Sequence, residues 1–174
     1  AQTRLYVFDC GSLRLDSLAM FGLEEHESDV REMFVPCYLV EHARGRLLWD
    51  GGLPKTVADA DGDVALEGGS MAYQTWIVDQ LAAMGIAPGQ IDHVAYSHLH
   101  FDHAGGLLRP WAETKGALEL AFPNAAYVIG EHAWQRAREP HARDRASFIP
   151  GLCELIEDTG RLERVDGPRS TTLG

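Results

Sequence analysis

An α/β fold with one sheet covered by helices on its outer face is predicted by the order of the elements. Strand-like runs come first as a meander, and later ones alternate with helical patterns. A second observation is size: 174 residues, 45% of them hydrophobic, suffice for one substantial core and favour a single domain over 1–174. A third is the absence of any internal repeat, which sets aside solenoids and propellers.

Leu5 to Asp9 reads as the first strand. Phe34 to Glu41 and Arg46 to Asp50 read as a hairpin, because His42-Ala43-Arg44-Gly45 is a short turn ending in Gly. Between them, Leu15 to Glu32 shows no clean period and reads as a long loop with helical turns. Asp59-Ala60-Asp61-Gly62-Asp63 starts like a calcium loop, but Gly68 stands where the terminal Glu is needed, so a solvated acidic loop is expected. From Ser70, the spacing of Tyr73, Trp76, Ile77, Gln80, Leu81 and Met84 predicts a helix capped by Ser70 and ended by Gly85. Its Tyr73 and Trp76 are expected to pack in the core rather than form an aromatic box for a ligand. Ile91 to Tyr96 reads as a strand, as do Ala126 to Gly130 and Leu162 to Val165, while Glu131 to Arg138 and Pro150 to Thr159 read as helices.

Charge and cysteine content narrow the function. With 26 acidic against 15 basic residues the formal charge is −11, which opposes binding to a phosphate backbone. No apolar run approaches the length that spans a bilayer. Cys10, Cys37 and Cys153 lie far apart without a Cys-x-x-Cys pair, so buried free thiols are expected rather than a zinc ribbon or a disulfide scaffold. Ala1 opens the sequence without Met, which fits both a removed export signal and a trimmed chain, so no compartment is assigned.

The chemistry concentrates in Ser97-His98-Leu99-His100-Phe101-Asp102-His103-Ala104-Gly105-Gly106. Three imidazoles and a carboxylate fall within the six residues 98–103, the ligand types that borderline divalent metals such as zinc prefer. In an extended segment His98, His100 and Asp102 share one side, and His103 points elsewhere. His98 with His100, and Asp102 with His103, can therefore each start a separate site, and two nearby ions can hold a hydroxide between them. Gly105 and Gly106 are expected to let the backbone turn tightly around the ions. His93 and Asp92, just upstream, are candidates to orient the ligands through hydrogen bonds.

This His-x-His-x-Asp-His run resembles the signature of the metallo-β-lactamase superfamily. Leu5 to Gly11, Val35 to Val40 and Leu47 to Gly52 are similar to the opening strands of its N-acyl-homoserine lactonase branch. The resemblance implies an αββα sandwich of two stacked sheets with two divalent ions, zinc, at one edge, of which this chain looks like the N-terminal half. It also implies that Asp50, at a strand end beneath the metals, supports the site, that Asp102 passes a proton to the leaving alkoxide, and that Phe101 walls the acyl chain of the substrate.

A complete site in that family has three more ligands: a His in a Gly-His context, a bridging Asp and a final His. None is recognisable here. His132, His141, Asp144, Asp158 and Asp166 read as surface or core residues. The expected continuation is a second sheet of roughly 100 residues, or a second copy of the chain covering the same face. The function implied is ring opening of a small lactone. A thioesterase like glyoxalase II and a non-catalytic metal-binding or assembly module stay open, and a nuclease is disfavoured by the charge.

Overall fold

The computed structural model describes residues 2–174. Among them one sheet of eight strands runs in the order β4-β5-β1-β2-β3-β6-β7-β8. The strands are β1 (Arg4–Leu15), β2 (Glu32–His42), β3 (Gly45–Trp49), β4 (Val64–Leu66), β5 (Gly69–Ala72), β6 (His93–Tyr96), β7 (Ala126–Gly130) and β8 (Leu162–Val165). The helices are α1 (Lys55–Ala58), α2 (Ile77–Ala83), α3 (Phe101–Ala104), α4 (Glu131–Arg138) and α5 (Leu152–Asp158), joined by short 3-10 turns. The first five strands pair antiparallel, and β3, β6, β7 and β8 pair parallel, which is the change from meander to alternation read in the sequence.

Two expectations need correction. Ser70 does not cap a helix, because it lies in β5, paired with Arg14 and Ala65 across a hairpin that turns through Glu67 and Gly68. Gly68 has φ +79, a left-handed conformation that glycine adopts without a Cβ penalty and that a tight hairpin turn demands. The helix starts only at Ile77, so the spacing of Tyr73 and Trp76 reflects burial and not one continuous helix. Its end is as expected: Gly85 at φ +77 donates to Ala82 and Ile86 donates to Leu81, a Schellman closure. The long loop is as expected, running 16–31 with a 3-10 turn at Ala19–Phe21, whereas the first strand is longer than predicted, since β1 continues to Leu15.

The two faces of the sheet differ. Phe8, Cys10, Cys37, Leu39, Leu48, Val94, Tyr96, Tyr127 and Ile129 point to the helical side and meet Ile77, Leu81, Trp134, Leu152 and Ile156 in one buried core. Tyr73 and Trp76 belong to it, and all three cysteines are buried and free. Burial pushes the Cys153 thiol up to about 11 and raises that of Cys37, so both stay protonated and unreactive. On the other face, Val7, Tyr38 and Trp49 form one cross-strand row and Leu5, Val40 and Leu47 the next. There Leu5 is 63%, Val7 60%, Phe34 57% and Trp49 41% exposed. Such an apolar row is the surface that a second layer covers in a two-layered domain.

Candidate metal centre

The four motif side chains converge at the C-terminal end of β6. The chain bends at Ser97, is extended at His100 with φ −65 and ψ 154, and then turns into α3, where His103 and Ala104 donate to the His100 carbonyl. The His98 and His100 rings lie 4.4 Å apart, and a helical turn rather than strand alternation delivers Asp102 and His103. Donor atoms of His98, His100 and Asp102 lie within 4.8 Å of one another. His103 does not point elsewhere as alternation would require. Its ring lies 4.1 Å from that of His98, and its Nε2 is 3.5 Å from Asp102 Oδ2.

Asp50 ties this cluster to the sheet. It follows β3, donates its N–H to the Ala95 carbonyl, and is only 4% exposed, with φ +58 aiming its carboxylate along the strand ends. The Ser97 N–H donates to Oδ1 at 2.8 Å and the Ser97 hydroxyl to Oδ2 at 2.7 Å. His103 Nδ1 lies 2.9 Å from Oδ2, which leaves Nε2 to face Asp102. Sequence reasoning gave Ser97 no role, yet its hydroxyl is 3.1 Å from Nδ1 of both His98 and His103.

The two adjacent imidazoles are shifted in opposite directions. Burial, then the neighbouring His103 and His100, hold His98 down to about 4, so it is a neutral base at pH 7. Burial also works against charge on His103, but the Asp50 hydrogen bond and the charges of Asp102 and Asp50 outweigh it and raise its pKa.

The glycines serve packing and not curvature around an ion. Gly105 has φ −62, and a Cβ on Gly106 would meet the Gly51 carbonyl oxygen at 1.9 Å. That close approach lets Gly51 donate to His103 O and Gly106 to Gly52 O, while Trp76 Nε1 donates to Gly106 O at 2.7 Å. The metal loop is thereby locked to β3 and α2.

Other candidates fall out as follows. Phe101 is half-buried against the core. His93 opens β6, the strand end opposite to the ligands, and pairs with Leu47 and Ala126, so it cannot orient them. Asp92 accepts from Arg46 N at 2.8 Å and secures the β2–β3 hairpin instead. His132, His141, Asp158 and Asp166 are exposed, as expected. Asp144 is the exception: its carboxylate reaches His100, with Oδ2 3.5 Å from Nε2. Arg136 on α4 donates to the same oxygen at 2.9 Å through Nε and holds the Asp144 carboxyl below its usual range.

Residues 30–173 match the Metallo-beta-lactamase superfamily. The chain belongs to this superfamily. The sheet and its flanking helices are accordingly a metallo-β-lactamase fold. Among similar curated proteins, the N-acyl homoserine lactonase AttM of Azorhizobium caulinodans is 28% identical over 145 residues, 79% of this chain and 49% of that protein. The N-acyl homoserine lactonase AiiA of Bacillus thuringiensis subsp. kurstaki is 37% identical over 138 residues, 75% of this chain and 50% of that protein. A probable metal-dependent hydrolase from Staphylococcus aureus superposes with a TM-score of 0.69 at 19% identity, covering 97% of this chain and 61% of that one. The chain thus spans about half the length of the curated relatives it matches. Among the described residues no helix is long and apolar enough to cross a membrane.

Proposed function

We propose that this chain is the N-terminal, ligand-bearing part of a metal-dependent hydrolase that opens the ring of an N-acyl homoserine lactone. The observation that carries the reading is the convergence of His98, His100 and Asp102 within 4.8 Å, beside a His103 that Asp50 orients. The donor set fits zinc: neutral imidazole nitrogens with a carboxylate oxygen. His98 and His100 would hold one ion, Asp102 and His103 a second. When bound, such ions polarise a carbonyl and acidify a water at neutral pH.

The chain's own residues do the rest. Asp50 and Ser97 keep the imidazoles aimed, and His98, held neutral, keeps its lone pair available at pH 7. Asp102 is the carboxylate that carries a proton to the departing alkoxide. Phe101, half-buried beside the ligands, offers apolar contact to an acyl chain. Similarity to lactonases that are 28% and 37% identical supports the substrate class. The open face bearing Leu5, Val7, Phe34 and Trp49 is where we place the second sheet of the sandwich.

Acid release from an N-acyl homoserine lactone by the complete enzyme of which this chain is proposed to be a part, measured with and without added zinc, tests the reading. Zinc-dependent ring opening is expected, and Asp102→Asn should lower turnover by 10² to 10⁴-fold while zinc occupancy changes less. Cleavage of a glutathione thioester in place of the lactone would redirect the substrate assignment. A chain that binds no zinc would be a non-catalytic module.

A further inference from the structure

Asp144 lies in the segment between α4 and α5, far in sequence from the metal run, yet it meets His100. The edge of the His100 ring is also fixed by Phe148, whose ring centroid is 4.5 Å away and whose backbone bridges to that of His100. Two buried polar atoms in this contact have no hydrogen-bond partner, His100 Nε2 and Asp144 Oδ1. Buried polar atoms are almost always paired, and these two belong to side chains already 3.5 Å apart at Nε2 and Oδ2. Arg136 anchors the carboxylate, but its own side chain is 62% exposed and water can satisfy it, so the ion pair alone does not explain why Asp144 is drawn inward. His103 shows the corresponding arrangement with Asp50, one ring nitrogen to a carboxylate and the other to the cluster.

We propose that Asp144 is a positioning residue that holds His100 as its Nε2–H tautomer, so that Nδ1 is the nitrogen facing His98, Asp102 and the ion. The inference rests on the metal-site reading above. A ligating imidazole usually donates its second N–H to a carboxylate, which fixes tautomer and ring orientation. At 3.5 Å the contact is about 0.5 Å longer than a normal hydrogen bond, a gap that a small rotation of the ring closes.

Long-range proton–nitrogen NMR of the imidazoles at pH 8 reads which nitrogen of His100 carries the proton, without any metal. The Nε2–H form is expected in the unaltered chain, a shift toward Nδ1–H in Asp144→Ala, and recovery in Asp144→Asn, which keeps an acceptor oxygen. Competition against a chromogenic chelator should show the zinc dissociation constant raised about 10- to 100-fold in Asp144→Ala and mostly restored in Asp144→Asn. If Asp144→Ala does not fold, Asp144→Leu removes the acceptor at similar volume. An unchanged tautomer and unchanged zinc affinity in a folded variant lacking the acceptor would overturn the assignment. If the tautomer shifts but the unaltered chain binds no zinc, the positioning role stands and the hydrolase reading falls.

Discussion

His103 and His100 lie three residues apart and each turns a ring nitrogen toward a carboxylate, but the two ties are built on different parts of the chain. The Asp50 tie springs from the sheet: its carboxylate sits at the end of β3, is 4% exposed, and is filled by Ser97 and His103 at 2.7 to 2.9 Å. The Asp144 tie springs from a loop: it is anchored by an exposed arginine and meets His100 at 3.5 Å with atoms still unpaired. Strand register places a group to a fraction of an ångström, because every neighbouring residue is hydrogen-bonded. A loop places it only as well as a few side-chain contacts allow. The His103 side of the centre is thus held by the sheet, and the His100 side by a loop.

Removing Asp50 breaks the stronger tie and should have the largest effect. Asp50→Ala leaves Ser97 and His103 with unmet hydrogen bonds at about 1–3 kcal/mol each, so melting should fall by roughly 5–15 °C, with zinc affinity down about 100-fold. Calorimetry with chelator competition checks both, and an unchanged melting temperature would show that the sheet-borne tie carries no structure. Asp144→Ala should separate the two regions: zinc affinity falls about 10- to 100-fold, while melting moves by less than roughly 2 °C.

The imidazole pKa shifts sharpen the comparison without any mutation. In the metal-free chain the His98 ring should stay neutral on acidification until about pH 4, whereas His103 should still be protonated above the usual histidine range. The signs follow from linkage. His103, raised on folding, contributes stability that is full below about pH 6.5 and is lost as pH rises through its folded value. His98, lowered on folding, withdraws stability as pH falls from about 6.5 toward 4, where the unfolded chain binds the proton first. Proton NMR of the rings between pH 4 and 9 measures both, and parallel titration of the pair would refute the assignment of Asp50 to His103 alone.

The smallest effect is expected at the far edge of the sheet. Glu163 on β8 is held down to about 2: burial works against its charge, but bonds from Ser170, Thr172 and Thr171 outweigh that. Glu163→Gln should lower melting slightly near pH 7, and the difference should vanish as acid protonates the carboxyl between about pH 4.5 and 2. Zinc affinity should not change. A change there would mean that the edge and the centre are coupled.

Much of this was legible in the residues. The hairpin of β2 and β3, the βαβ alternation after β6, the glycine that ends α2 and the burial of Tyr73 and Trp76 follow from period, turn chemistry and apolar content, all of which act over a few neighbours. The His-x-His-x-Asp-His cluster that we propose holds metal was legible as a cluster, because its residues are neighbours in sequence and converge at the end of β6. The β4–β5 hairpin was missed because strands of three and four residues carry too little alternation to stand out against a helical spacing running through them.

What the sequence by itself determined is the donor set: three imidazoles and a carboxylate on one short segment after a strand, of the types that we propose hold a metal, in a sheet that is helix-covered on one side. Only the tertiary structure decided how those atoms are aimed. That His103 joins His98 depends on the local turn into α3, whereas that Ser97 bridges both to Asp50, that His93 pairs with Leu47 and Ala126, and that Asp144 rather than Asp158 or Asp166 comes to the centre depend on contacts between residues tens of positions apart. Such contacts are set by strand register and loop packing, and those are settled only when the whole core closes.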